Sequence, residues 1–249
     1  MVRGVPCRRS RAALSWSPER LLDPFPRVRA LLACAHTALP LPYSRWAYTF
    51  GRLILPDPRR AGFELAMAEA ARRGGGVYLE FGVHRGASLL LAQQCAERAG
   101  LTSMRCVVFD SFEGLPGAET AKFWRGRFAF SEQRFRRWFE RAGGDPSRVE
   151  VVAGWFSDTL TPQRAAELHL GRIAVVHIDC DLYDSSLEVL RWLEPLPLEG
   201  AVLILDDWHA YDADPGSHGI QRALAESQLR ARLTGFGKDG THVLFSVGE

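Results

Sequence analysis

Val175-Val176-His177-Ile178-Asp179-Cys180-Asp181-Leu182-Tyr183 and Val202-Leu203-Ile204-Leu205-Asp206-Asp207-Trp208 are two apolar runs that each end abruptly in a pair of carboxylates. Runs of this kind read as strands buried on both faces, the mark of a parallel sheet. In open α/β sheets, ligands bind just outside the carboxyl ends of the strands. If the two strands are neighbours, four acids converge there. Such crowding is repulsive unless a cation or a proton compensates it.

Working outward, strand and helix signals alternate. A helical pattern over Ala61–Arg73 stops at Gly74-Gly75-Gly76. Strands are predicted at Val77–Phe81, Met104–Phe109, Arg148–Ala153, Ile173–Ile178 and Ala201–Leu205. Helices are predicted at Ala87–Arg98, from Ser131 as N-cap to Ala142, at Pro162–Leu168, at Ser185–Leu193 capped by Asp184, and from Gly219 to Arg232. A long loop covers Ser111–Phe130, and Thr241–Val247 is a last strand that pairs with a short one near Leu233–Phe236. The fold class expected is α/β: a doubly wound, mostly parallel, seven-stranded sheet. Residues 1–60 lack strand alternation and are broken by Pro24, Pro26, Pro40 and Pro42. They are expected to form a helical appendage, either a lid or a homo-oligomer contact, on a domain spanning 61–249.

The bulk numbers agree with a globular chain: 249 residues, 47% hydrophobic, 24% charged and a net charge of +2. That charge gives no case for nucleic acid, and no apolar run approaches the ~20 residues of a membrane span. Five cysteines, odd in number and widely spaced without a CxxC, argue against a disulfide framework or a zinc site. They fit a reducing compartment, so the cytoplasm is expected. Arg3, Arg8, Arg9 and Arg11 give the N-terminus a transit-peptide look, although Arg is common throughout the chain.

Glu80-Phe81-Gly82-Val83-His84-Arg85-Gly86-Ala87-Ser88 leaves a strand and enters a helix. Gly82 and Gly86 would let a ligand approach the backbone closely. The spacing is GxxxG, without the tight second glycine that admits a pyrophosphate. Glu80 at a strand end repels phosphate and favours an ammonium or sulfonium instead. Asp110 closes the next strand, placed to accept from ribose hydroxyls; a plain turn-starting Asp is the alternative. After the third strand come Trp155 and Phe156, either of which could stack on adenine, and Asp158, which could accept from its amino group; core packing suits the aromatics equally well.

The four acids suit metal-assisted methyl transfer. Side chains alternate along a strand, so Asp179 and Asp181 share a face if the extended conformation persists. Asp206 and Asp207 reach one ion only if the chain turns there. A hard cation such as Mg²⁺ takes oxygen ligands, here Asp179, Asp206 and Asp207. Asp181 would accept the proton of a substrate hydroxyl as general base. An Asp after a strand commonly caps the next helix, but four at two strand ends exceed that explanation. His177 shares their face by alternation, either in support of the acids or as an ordinary core histidine.

Taken together, Glu80–Ser88 (EFGVHRGAS), Asp110–Pro116 (DSFEGLP), Gly154–Leu160 (GWFSDTL), His177–Ser185 (HIDCDLYDS) and Asp206-Asp207-Trp208 resemble the macrocin O-methyltransferase family. The resemblance covers about residues 76–227. It implies the class I methyltransferase fold and methylation of sugar hydroxyls on antibiotics with S-adenosylmethionine and Mg²⁺. It also implies that Glu80, Gly82, Ser88, Asp110 and Ser111 contact the cofactor, that Asp179, Asp206 and Asp207 bind the metal, and that Asp181 is the base. A small hydroxylated acceptor with a vicinal diol is expected. Trp124, Phe128, Trp138 and Tyr211 are candidates to line its pocket. Two other readings remain open at this point: a glycosyltransferase whose Asp179-Cys180-Asp181 is a DxD, and a non-catalytic protein that keeps the fold.

Overall fold

The computed structural model describes residues 57, 59–117, 123–208, 219–239 and 242–248. The expected N-terminal appendage therefore falls almost wholly outside the described residues, as do Tyr211, residues 118–122 of the long loop, and His209 and His218. From Pro58 onward the chain is one compact unit.

Helix α1 (Arg60–Arg72) precedes β1 (Val77–Phe81), α2 (Ala87–Arg98) and β2 (Cys106–Asp110). Then follow α3 (Glu132–Arg141), β3 (Val149–Ala153), the short α4 (Phe156–Thr159) and α5 (Pro162–Glu167), and β4 (Ile173–Ile178). Helix α6 (Tyr183–Leu193), β5 (Val202–Leu205), α7 (Gly219–Glu226), β6 (Leu233–Lys238) and β7 (Val243–Val247) complete the order. The seven strands form one sheet in the order β3-β2-β1-β4-β5-β7-β6. The first five are parallel; β7 is antiparallel to both β5 and β6. This is the sheet expected from the sequence.

Three expectations need adjusting. Helix α6 starts at Tyr183, with Leu182 at its cap, so Asp184 lies in the first turn instead of capping it. Ser131 occupies the N-cap of α3, but its hydroxyl makes no capping bond. The helix expected to run from Gly219 to Arg232 ends at Glu226, and a 3-10 turn, Gln228–Arg232, takes its place.

The apolar runs explain the burial. Every residue of β1, β4 and β5 is buried, while β3, at one edge, is partly exposed. One core lies between the sheet and α6 and α7, where Phe81, Ile178, Leu190 and Ala223 pack. The other lies beneath α1, α2 and α3, with Phe63, Met67, Leu89, Phe135 and Phe139 against Tyr78, Val175 and Ile204. Each such buried side chain stabilises the fold by about 1.5–3 kcal/mol relative to exposure. The sheet's strand order reverses between β1 and β4, which opens a crevice at their carboxyl ends.

Candidate active site

The crevice at that switch point holds a cavity of ≈ 560 Å³, within the range of small-molecule sites. Its floor is the row just past the strand ends. Register fixes this row: Phe81 pairs with Ile178, and Ile178 with Leu205. The ladder continues one residue further, with Asp179 N–H donating to the Phe81 carbonyl (2.9 Å) and Asp206 N–H to the Ile178 carbonyl (3.0 Å). The two acid-tipped strands are thus neighbours, and their carboxylates meet.

The backbone leaves the strands sharply. Asp181 has φ 62° and Asp207 φ 52°, both in the left-handed region. The extended conformation that would align Asp179 with Asp181 does not persist, yet both residues line the cavity, as does Asp207. The turn that Asp206 and Asp207 need is present. Non-glycine residues in this region cost free energy and cluster at functional sites.

The acids are unequal. Burial first, then the charges of Asp206, Asp207 and Asp181, pushes the Asp179 carboxyl well above the usual carboxylate range. Asp206 goes the other way. Burial alone would raise it, but the nearby imidazole of His242, with His177 behind, holds it at about 2. Asp206 does not line the cavity. One of its oxygens accepts the Asp207 N–H (2.8 Å), and the other faces His242 Nε2 at 3.7 Å. Cys180 lines the cavity, but burial and then the adjacent Asp179 push its thiol well above the ordinary range, so it is no thiolate ligand.

The donor set of Asp179, Asp206 and Asp207 consists of oxygen atoms alone, which is what a hard divalent cation takes. Burial, and then the charges of Asp206, Asp207 and Asp181, hold the Asp179 carboxyl toward its protonated form, a crowding that a bound cation would relieve. These residues fit Mg²⁺ better than a soft metal.

The glycine loop forms the opposite wall. Gly82 has φ 86°, and a Cβ there would collide with the Asp179 carbonyl, so only glycine lets β1 and β4 close at this point. Asp110 braces the loop: one carboxylate oxygen accepts from Val83 N–H (2.7 Å) and His84 N–H (2.8 Å), the other from Phe112 N–H (2.7 Å). Gly82, Asp110, Ser111 and Trp155 line the cavity; Gly86, Asp158 and Trp138 do not. Gly86 caps α2 under Phe135, and Asp158 is exposed within the short α4. Phe128 lines the cavity and Trp124, 53% exposed, does not. Glu80 and Ser88 lie beneath the floor, fully or nearly fully buried. Glu80 accepts from Tyr78 Oη (2.8 Å) and Ser88 Oγ (2.5 Å), so the pair supports the loop from inside the sheet face.

Comparison with known proteins is decisive at this point. The sequence profile described as Macrocin-O-methyltransferase (TylF) matches residues 56–241. The chain belongs to the macrocin O-methyltransferase family. It is 36% identical over 168 residues to an 8-demethyl-8-(2,3-dimethoxy-alpha-L-rhamnosyl)-tetracenomycin-C 4'-O-methyltransferase of Streptomyces olivaceus, covering 61% of this chain and 62% of that one. It is 26% identical over 177 residues to a demethyldecarbamoylnovobiocin O-methyltransferase of Streptomyces niveus, covering 67% and 65%. The chain thus spans a little under two thirds of the length of these two relatives. Among solved structures, the calicheamicin methyltransferase CalS11 superposes with TM-score 0.64 at 20% identity, with both chains covered in full. The O-methyltransferase NovP gives 0.62 at 23%, covering 77% of this chain and 80% of that one. At these identities the two structures establish the methyltransferase fold alone.

Within this family frame, sequence reasoning missed several groups that the structure brings to the site. His242 and Asp239 lie far along the chain, and their only signal was a carboxylate and an imidazole three residues apart beside the last strand. His177, placed on the acids' face by alternation, lies with Asp206 and His242, ligand atoms within 4.8 Å of one another, and does not line the cavity. Its two ring nitrogens are buried without a hydrogen-bond partner, with Nδ1 3.6 Å from Glu80 Oε1. Asp184 and Glu188 also line the cavity. Burial, then Asp184, raises the Glu188 carboxyl. His84, with φ 48°, sits edge-on to Phe128 and Phe130; burial, then Arg85, lowers its pKa and favours the neutral ring.

Proposed function

We propose that this chain moves the methyl group of S-adenosylmethionine to a hydroxyl of a small natural product, a sugar or other vicinal diol, in antibiotic tailoring, and that Mg²⁺ assists. The observation that carries the reading is the convergence of Asp179, Asp181, Asp206 and Asp207 at the switch point of a methyltransferase sheet, beside a glycine loop. When bound, the cofactor supplies an electrophilic methyl on sulfonium, and the cation polarises an acceptor hydroxyl.

The chain's own residues do the rest. Asp179, Asp206 and Asp207 hold the cation, and Asp181 takes the hydroxyl proton. Gly82, Asp110, Ser111 and Trp155 shape the cofactor wall, while Glu80 and Ser88 hold that wall from below. Leu115, Phe123 and Phe128 form the acceptor side and keep water out. The tetracenomycin and novobiocin relatives act, by their names, on rhamnosyl and novobiocin substrates, which supports a glycosylated acceptor. Cys106 and Cys180 are free buried thiols, which supports a reducing cytoplasm. No helix among the described residues is long and apolar enough to cross a membrane. The homo-oligomer expected of the first 60 residues belongs to the same proposal, and sedimentation of the full chain tests it.

The test of the chemistry is calorimetry of the full chain with S-adenosylhomocysteine, with and without Mg²⁺, followed by turnover of rhamnosyl acceptors before and after chelation. Cofactor binding with chelator-sensitive turnover is expected. Full turnover in excess chelator refutes the metal assignment, and absence of cofactor binding refutes the whole reading.

A further inference from the structure

The turn at residues 124–127 and the start of α3 give the cavity a basic, aromatic lip that the chemistry above leaves unused. The turn is pinned to the wall. Gly126 N–H donates to the Leu115 carbonyl (2.8 Å), Leu115 N–H to the Arg127 carbonyl (2.9 Å), and Arg127 N–H to the Trp124 carbonyl (3.0 Å). Leu115, His84 and Phe128 line the cavity. Behind them stand guanidiniums laid on aromatic rings. Arg127 lies over Phe128 at 4.6 Å. Arg134 and Arg85 both lie over Phe130, at 4.6 and 5.4 Å, and that ring is edge-on to His84 at 5.7 Å. Trp124, on the same turn, is 53% exposed.

The charge on this lip is left over. Arg85, Arg125 and Arg134 are exposed, and among the described residues none of the three is in an ion pair. Elsewhere on the domain arginines find carboxylates: Arg98 has Glu64 (2.8 Å), Arg148 has Glu97 (2.8 Å) and Arg232 has Glu199 (2.7 Å). At the lip, Glu132 is taken by Arg136 (2.6 Å). The carboxylate row of Asp179, Asp181 and Asp207 gives the same cavity the opposite sign. A neutral acceptor gains nothing from that polarity. It suits one whose reacting hydroxyls lie at one end and whose negative charge lies at the other. A guanidinium stacked on a ring keeps its fork of N–H donors free and pre-organised, which suits phosphoryl oxygens. Two forks on one ring match two linked phosphoryl groups. An exposed indole beside them offers a face on which a base stacks.

We propose that the acceptor is a nucleoside diphosphate sugar: the sugar hydroxyls reach the carboxylate row, the diphosphate lies on Arg85 and Arg134, and the base stacks on Trp124. This rests on the reading that the cavity is the site of methyl transfer. It also orders the chemistry, because methyl transfer then precedes the glycosyl transfer that consumes the activated sugar.

The test is calorimetry of the full chain, saturated with S-adenosylhomocysteine and free of divalent metal. The probes are uridine, thymidine and guanosine diphosphates, with uridine and inorganic pyrophosphate alongside. At least one nucleoside diphosphate is expected to bind, uridine is not, and the binding should weaken as salt screens the arginines. The double variant Arg85→Gln, Arg134→Gln is expected to weaken it at least about tenfold. Trp124→Ala should weaken it about 5–100-fold. The affinity for S-adenosylhomocysteine should stay unchanged in both. Arg141→Gln, at the far end of α3, controls for general loss of positive charge and should bind as the parent does. If the double variant loses S-adenosylhomocysteine, Arg134→Gln alone decides, with a loss of at least about threefold expected. Failure of all three nucleoside diphosphates to bind overturns the proposal. So does parent-like affinity in the arginine variants, an equal loss in Arg141→Gln, or pyrophosphate binding as tight as that of the nucleoside diphosphates. Failure of the parent to bind S-adenosylhomocysteine would instead refute the methyl-transfer reading beneath it.

Discussion

Gly82→Ala is the single substitution that most directly tests how the sheet builds the site. Gly82 has φ 86°, a conformation that costs an L-residue about 1–2 kcal/mol. The added Cβ would also lie 2.9 Å from the Asp179 carbonyl carbon and closer still to its oxygen. No side chain can swing away, because the obstacle is backbone. The carbonyl must retreat, and the bond from Asp179 N–H to the Phe81 carbonyl (2.9 Å) stretches with it. Overpacking of this kind costs about 1–3 kcal/mol and a lost backbone bond about 1 kcal/mol. The expected loss is about 3–6 kcal/mol, a large part of the stability of an ordinary domain. Urea unfolding followed by circular dichroism should show the midpoint falling by roughly 1–2 M. Because Asp179 moves with its carbonyl, Mg²⁺-dependent binding should fail even at low urea. Gly100→Ala is the control: φ is also positive (81°), but nothing lies within 4 Å of the new Cβ, so only the conformational cost of about 1–2 kcal/mol applies. Equal losses at the two positions, or a loss under 1 kcal/mol at Gly82, would refute the claim that the β1–β4 contact sets the position of Asp179.

Asp179→Asn removes a buried acid crowded by three others, so the metal-free protein should gain about 1–2 kcal/mol by thermal or urea unfolding. The parent should gain about 2.7 kcal/mol when Mg²⁺ reaches a hundred times its Kd, and the variant should gain nothing. Asp181→Asn should lower kcat about 10²–10⁴-fold with S-adenosylhomocysteine affinity intact; full turnover in that variant rules out the base role. The His242–Asp206 pair should set a pH window for the metal-free protein. His242 is raised from 6.5 to about 9, so its contribution is complete below pH 6.5 and is lost as pH rises through 9. Asp206 is lowered from 3.8 to about 2, so its contribution is present above pH 3.8 and is lost as pH falls through 2. Asp179, raised, works against the fold as pH climbs above 3.8, so the contribution of His242 with both its carboxylates, Asp206 and Asp239, is isolated by subtracting unfolding free energies of His242→Phe from the parent across pH 4–10. A difference that does not shrink toward pH 10 refutes the pairing.

The fold was legible because its signals are local. Burial on both faces leaves β1, β4 and β5 as unbroken apolar runs, and Gly74-Gly75-Gly76 stops α1 where the periodicity does. The acids were legible for the same reason, since they sit one residue past those runs. What escaped was whatever depends on direction. Glu80 stands at the end of a strand, but alternation turns it toward Tyr78 and Ser88 and away from the cavity. Asp110 looked like a ribose acceptor, and its oxygens already accept from three backbone amides, those of Val83, His84 and Phe112. His242 is 63 residues beyond Asp179, just before an antiparallel strand, and only the β5–β7 pairing places it behind Asp206. No spacing rule carries that information.

Leu115, Phe123 and Leu182 form a small hydrophobic cluster separate from the two large cores on the faces of the sheet. Leu115 and Phe123 come from the loop between β2 and α3, and Leu182 from the turn after the acids; all three line the cavity. The sheet does not depend on this cluster for its own burial. Changes of shape there alter the wall that an acceptor meets, while the row of carboxylates keeps its register from the ladder below. Chemistry and acceptor choice are therefore held by different parts of the folding free energy. Under the proposed function, a change of acceptor at these three positions would come at a cost confined to a few side chains.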